Sequence, residues 1–166
     1  HCSVRRQRQM CIRDRYIVPL YTGSSFKKED VIELLNNTWH NFEEQDLIKI
    51  TQIKQSTSIL ELYHGPTAAF KDFGLQLAAA FFNKTLQTQN KTAIVFGATS
   101  GDTGSAAIDA CKDFEVIKSF ILIPHGNMSE IQRKQMTTVQ SPNVHPIIVD
   151  GTCLLYTSPS PRDWLQ

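Results

Sequence analysis

The chain has 166 residues, 41% of them hydrophobic, and a formal net charge of +1. That composition fits a folded core and excludes a disordered polyelectrolyte. No run approaches the ~20 apolar residues that span a bilayer, and the amino-terminal stretch lacks the apolar segment of a secretory signal, so the expected location is cytoplasmic, with no membrane partner. The charge is unevenly placed. Between Tyr16 and Thr152 there are 11 bases and 14 acids, net −3, whereas the two ends are basic and hold six of the seven arginines. A folded middle of that sign predicts no nucleic-acid partner. Of the four cysteines only Cys111 lies in the middle. One internal cysteine builds neither a disulfide framework nor a zinc set, so no metal is expected and Cys111 reads as a small buried helix residue.

Residues 1–15 show no helical or strand period and hold five arginines, and they are expected to be non-native or disordered. A basic nucleic-acid-binding arm is the alternative there. From Glu29 to Phe42, Val31, Leu35, Trp39 and Phe42 fall at the spacing of an amphipathic helix, and residues 16–58 are assigned to a small helical amino-terminal region. A short strand, Ile59 to Leu62, meets the turn residues His64-Gly65-Pro66. Thr67 to about Gln87 then reads as a helix apolar almost all round, hence buried. Further on, strands at Thr92–Phe96, Ser119–Ile123 and Val144–Val149 alternate with helices at about Thr103–Asp113 and Ser129–Val139. That alternation predicts an α/β domain over 59–152, a parallel sheet with flanking helices. Residues 153–166, turn-rich with Pro159 and Pro161, are expected to be a non-native or disordered tail. Both ends resemble translated sequencing-adapter read-through.

Two segments carry chemistry. In Phe70-Lys71-Asp72-Phe73-Gly74 a lysine stands in an apolar helix, where desolvation disfavours its ammonium and leaves an amine able to form a Schiff base with an aldehyde. Neighbouring helical residues project about 100° apart, so Asp72 does not face Lys71 directly. Gly74 shares its face and leaves room for a flat ring. The structural alternative is a helix-end lysine that reaches water. The second segment, Ala98-Thr99-Ser100-Gly101-Asp102-Thr103-Gly104, is a strand-to-helix loop of small residues. Backbone N–H groups there point at an anion from the carboxyl edge of a parallel sheet. It lacks the spacing of a nucleotide or dinucleotide loop, which favours a carboxylate or small phosphate. Ordinary capping by Ser100 or Asp102 is the alternative.

Taken together, Leu60-Glu61-Leu62-Tyr63-His64-Gly65-Pro66-Thr67, Phe70-Lys71-Asp72-Phe73-Gly74 and Ala98-Thr99-Ser100-Gly101-Asp102-Thr103-Gly104 resemble one family. It is the pyridoxal-phosphate enzymes of the tryptophan-synthase β-subunit fold (fold type II), and within it the threonine synthases. Ile121-Leu122-Ile123-Pro124-His125-Gly126, Gln132-Arg133-Lys134-Gln135-Met136 and Val149-Asp150-Gly151-Thr152 extend the match. The resemblance implies that Lys71 carries pyridoxal 5'-phosphate and is the catalytic base, and that Asp102 and Thr103 lie against the cofactor. It also implies that Thr99, Ser100, Gly101 and Thr103 receive the substrate carboxylate. The implied reaction converts O-phospho-L-homoserine and water to L-threonine and phosphate. Related enzymes of the wider fold have Asn where Asp102 stands. The family's cofactor-phosphate loop and pyridine-nitrogen partner fall beyond Thr152, so the chain is expected to be a fragment without turnover of its own. His64 is expected to be a turn residue, and His125 a structural or substrate-entrance residue. The rival readings are another enzyme of the fold, a dehydratase or sulfhydrylase, and a non-catalytic scaffold. Oligomeric state is not legible.

Overall fold

A computed structural model describes residues 16–42, 47–99, 101–126 and 128–151. The expectations for residues 1–15 and 153–166 and for Ser100 lie outside them. The chain packs as two units, residues 1–81 and 82–166.

In the first unit residues 16–22 are helical, and helix α1 runs Lys28–Thr38 with Glu29 and Asp30 in its first turn, where the helix dipole favours acids. Val31 and Leu35, one turn apart, are its buried pair. Beyond α1 the Trp39 indole donates to the Phe73 carbonyl at 3.1 Å. Phe42 meets the Phe73 ring edge to face, with centroids 4.9 Å apart. Strand β1, Lys49–Lys54, pairs antiparallel with β2, Thr57–Glu61, in a hairpin whose register shifts between Gln52 and Lys54. The sequence reading anticipated a strand at β2 and missed β1.

Helix α2 spans Lys71–Thr88, four residues shorter at its start than the sequence suggests. Pro66 lacks an amide donor, and Ala68 adopts a left-handed φ of 57°, so Thr67 to Phe70 form turns instead. The helix is also less enclosed than expected. Ala79, Ala80 and Leu86 are buried, but Phe70 and Phe82 are exposed. Its carboxyl end closes on Asn90 (φ 50°). There the Lys91 amide donates to Leu86 and the Asn90 amide to Gln87, so the last carbonyls find partners.

The second unit holds the parallel sheet, in the order β3-β4-β5, with β3 at Ala93–Ala98, β4 at Ile117–Pro124 and β5 at Val144–Val149. Helix α3, Asp102–Cys111, connects β3 to β4, and α4, Glu130–Thr137, connects β4 to β5. The core joins Ile108 of α3, Ile121 and Ile123 of β4, Met136 of α4 and Val144 of β5. Alternate residues of β4 serve this core, because side chains on a strand alternate between faces. Asn143, buried ahead of β5, donates to the carbonyls of Cys111, Phe114 and Ile117 at 2.7–3.0 Å. This ties the end of α3 to the start of β4. Cys111 is buried as expected, and burial pushes its thiol up to about 11, so it is not a reactive thiolate.

Candidate active site

Lys71 is the first residue of α2 and is half-buried, so it stands at a helix end and not, as the sequence suggested, inside a buried helix. The turn before it is closed by Asp72. Its carboxylate, fully buried, accepts from the Thr67 amide at 2.9 Å and the Thr67 hydroxyl at 2.6 Å. Two backbone bonds reinforce the turn, Ala68 N–H to Gly65 and Asp72 N–H to Ala69, each 3.0 Å. Gly65 has no room for a side chain, since a Cβ there would lie 2.5 Å from Asp72 Oδ2. The Lys71 Nζ sits 4.4 Å from the centre of the Phe70 ring, a cation–π arrangement. Gly74, on the same face of α2, is exposed, with nothing within 4 Å of where a Cβ would stand.

The strand-to-helix loop lies in the second unit, where β3 ends and α3 begins. Thr99 continues the sheet, its amide donating to the Leu122 carbonyl at 3.0 Å, and its hydroxyl accepts from the Gly101 amide at 3.2 Å. Gly101 is the residue that caps α3, and no side chain caps that helix. Capping by Asp102 is therefore excluded: it is already the first helical residue. Its carboxylate instead accepts from the Gln132 side chain at 3.4 Å. Gln132 is itself held at the start of α4, where its amide donates to the Ser129 hydroxyl and that hydroxyl donates to its side-chain carbonyl. Gln132 thus links the amino ends of α3 and α4. Thr103 is exposed, and Thr99, Gly101 and Asp102 are half-buried.

No family model matches the chain, but individual proteins do. Threonine synthase of Pseudomonas aeruginosa is 39% identical over 131 residues, 79% of this chain and 28% of that protein. The threonine synthase-like 2 protein of Xenopus laevis is 38% identical over 128 residues, covering 77% of this chain and 27% of its own length. A crystal structure of pyridoxal-phosphate-bound threonine synthase from Brucella melitensis superposes with a TM-score of 0.82 at 33% identity, covering 86% of this chain and 31% of that one. Over this stretch the chain belongs to the threonine synthase family. It spans between a quarter and a third of the length of these relatives. The α/β fold with its parallel sheet is that of the threonine synthases, as the sequence order of elements implied.

Within the stretch Leu60 to Thr67 and the strand paired with it lies a network that sequence reasoning missed. Glu61, at the end of β2, is buried and accepts from the Thr51 hydroxyl. Its other oxygen lies 2.9 Å from His64 Nε2 and 3.8 Å from Lys49 Nζ. The bond from Thr51, then those from His64 and Tyr63, hold its carboxyl down to about 2. His64 is thus a turn residue anchored by a carboxylate. The available signal was the pairing of Lys49 with Glu61 across the hairpin, which puts Thr51 two residues on along the same face, readable only once β1 is known. His125 follows β4, exposed, with Nδ1 3.5 Å from Asp150. A groove of about 430 Å³ lined by Lys112, Lys118 and Asn143 opens at the amino ends of β4 and β5. That is the opposite sheet edge from the loop at 99–103, so it carries none of this chemistry. Among the described residues no cluster of His, Cys, Asp and Glu could hold a metal, and no helix is long and apolar enough to cross a membrane.

Proposed function

We propose that this chain is the cofactor-bearing part of a threonine synthase, a cytoplasmic enzyme of threonine biosynthesis that converts O-phospho-L-homoserine and water to L-threonine and phosphate with pyridoxal 5'-phosphate. The observation that carries the proposal is Lys71. Its amine is presented by a turn locked on a buried carboxylate, in a segment that resembles the threonine synthases. The surroundings suit a flat aldehyde cofactor, because Gly74 leaves the adjoining helix face open. When bound, pyridoxal phosphate supplies a conjugated ring that takes up negative charge from the carbon beside the substrate amine.

The chain's own residues supply the rest. Lys71 holds the cofactor through Nζ and, once released by the substrate amine, accepts and returns protons at the substrate's Cα and Cβ, so one nitrogen is both tether and base. The loop at Thr99, Ser100, Gly101 and Thr103 binds the substrate carboxylate, which suits the positive end of the α3 dipole. Gln132 holds Asp102 at the start of α3, and cofactor contact is assigned to Asp102 and Thr103 by the resemblance to the threonine synthases. Adding pyridoxal phosphate is expected to give a visible absorption band that Lys71→Ala abolishes. A band that survives the substitution would refute Lys71 as the tether. Phosphate release from O-phospho-L-homoserine by a longer chain containing these residues tests the reaction, and serine derivatives in its place test the dehydratase and sulfhydrylase alternatives.

A further inference from the structure

We propose that the Thr67–Asp72 clamp is a positioning device for Lys71, an inference that rests on the reading of Lys71 as the cofactor-bearing amine. A carboxylate removed from water is costly unless donors meet it, and Asp72 is fully buried. Thr67 meets both of its oxygens, one with its amide and one with its hydroxyl, and charge-assisted bonds of this kind are the strong ones. Neither bond belongs to the helical ladder. Each ties the second residue of α2 back to a residue ahead of the helix. The loop so closed contains the left-handed Ala68, and the carboxylate fills the space that Gly65 leaves by having no side chain.

Lys71 lies inside the closed loop, so its Cα is held on both sides. The Phe70 ring is 61% exposed, so burial in a core does not fix it there. The closed turn sets the Phe70 and Lys71 backbones so that ring and amine meet at 4.4 Å. Thr67 and Asp72 thereby fix the backbone that presents the amine, and reactions of a positioned group are sensitive to displacements of an ångström or less.

The test uses the 166-residue chain and a readout independent of turnover. The chain is incubated with limiting pyridoxal phosphate, reduced with borohydride, and the labelled lysines are quantified by peptide mass spectrometry as the ratio of Lys71 to the exposed Lys91. The unsubstituted chain is expected to label Lys71 in preference. Thr67→Val keeps the side-chain shape and removes one donor to Asp72, and should lower the ratio by roughly threefold or more. Thr67→Ser should restore it, with far-UV circular dichroism unchanged in both. A ratio unaltered in Thr67→Val, or lowered equally in Thr67→Ser, overturns the clamp and leaves Lys71 as the tether. A ratio near one in the unsubstituted chain overturns the cofactor reading and the clamp with it. If Thr67→Val loses its helical signal, Asp72→Asn takes its place with the same expected fall and the same refutation.

Discussion

Glu61 shows how much a single side chain depends on its neighbours. Its carboxyl is held at about 2 against an ordinary 4.5, first by the Thr51 hydroxyl and then by His64 and Tyr63. The same contact works in reverse on Tyr63, whose phenol is raised chiefly by its bond to Glu61. A lowered folded pKa means that the unfolded chain takes up the proton first. The contribution of Glu61 to stability is therefore complete above about pH 4.5 and is lost as the pH falls through about 2. Glu61→Gln should make the acid side of a melting-temperature profile shallower across that window, and superimposable profiles would contradict the network. At this scale the sequence was informative about Lys71, because a lysine among phenylalanines is conspicuous. Helical geometry led to the expectation that Asp72 does not face Lys71 directly. It could not say that Asp72 turns back to Thr67, because that depends on Ala68 adopting a left-handed conformation that no glycine advertised.

Among elements, α3 packs closely against its surroundings at Gly104. A Cβ there would collide with the Thr99 Cγ2 methyl and stand 2.6 Å from Met136 Sδ. Gly104→Ala should then cost about 1–3 kcal/mol by overpacking, read as a lowered urea midpoint at unchanged m-value. A midpoint equal to that of the parent chain would show that Met136 yields freely. Elements with a clean period were legible: β4, α3, α4 and β5 fall within a few residues of their sequence positions. Strand β1 was not. Its exposed Ile50 and Ile53 are three apart, a helical spacing, and the register shift at Gln52 and Lys54 explains how a strand tolerates it. The start of α2 was placed too early for a related reason: the apolar run from Ala68 to Phe70 is helical in composition but belongs to a clamped turn.

Over the whole chain, one face of the parallel sheet is packed by α3 and α4, and the other is apolar. Register puts Ile94, Phe96, Phe120, Leu122 and Ile147 on that second face, and Ile94 and Phe96 are 66% and 62% exposed. An apolar patch of this kind binds hydrophobic dyes and promotes association. The chain should enhance anilinonaphthalene sulfonate fluorescence, and Ile94→Thr with Phe96→Thr, both compatible with a strand, should reduce it. Equal fluorescence from the double variant would mean the face is covered in solution. The sequence by itself determined the alternation of strands and helices from β3 onward, the parallel α/β class and the burial of Cys111. These follow from apolar period and local composition, which each stretch of chain carries alone. The tertiary structure alone decided that Asp72 answers Thr67, that Glu61 gathers Thr51 and His64, and that Gln132 reaches Asp102 across 30 residues. Those pairings exist because folding places donors and acceptors within bonding distance where water is excluded, and no periodicity in the chain encodes which of them will meet.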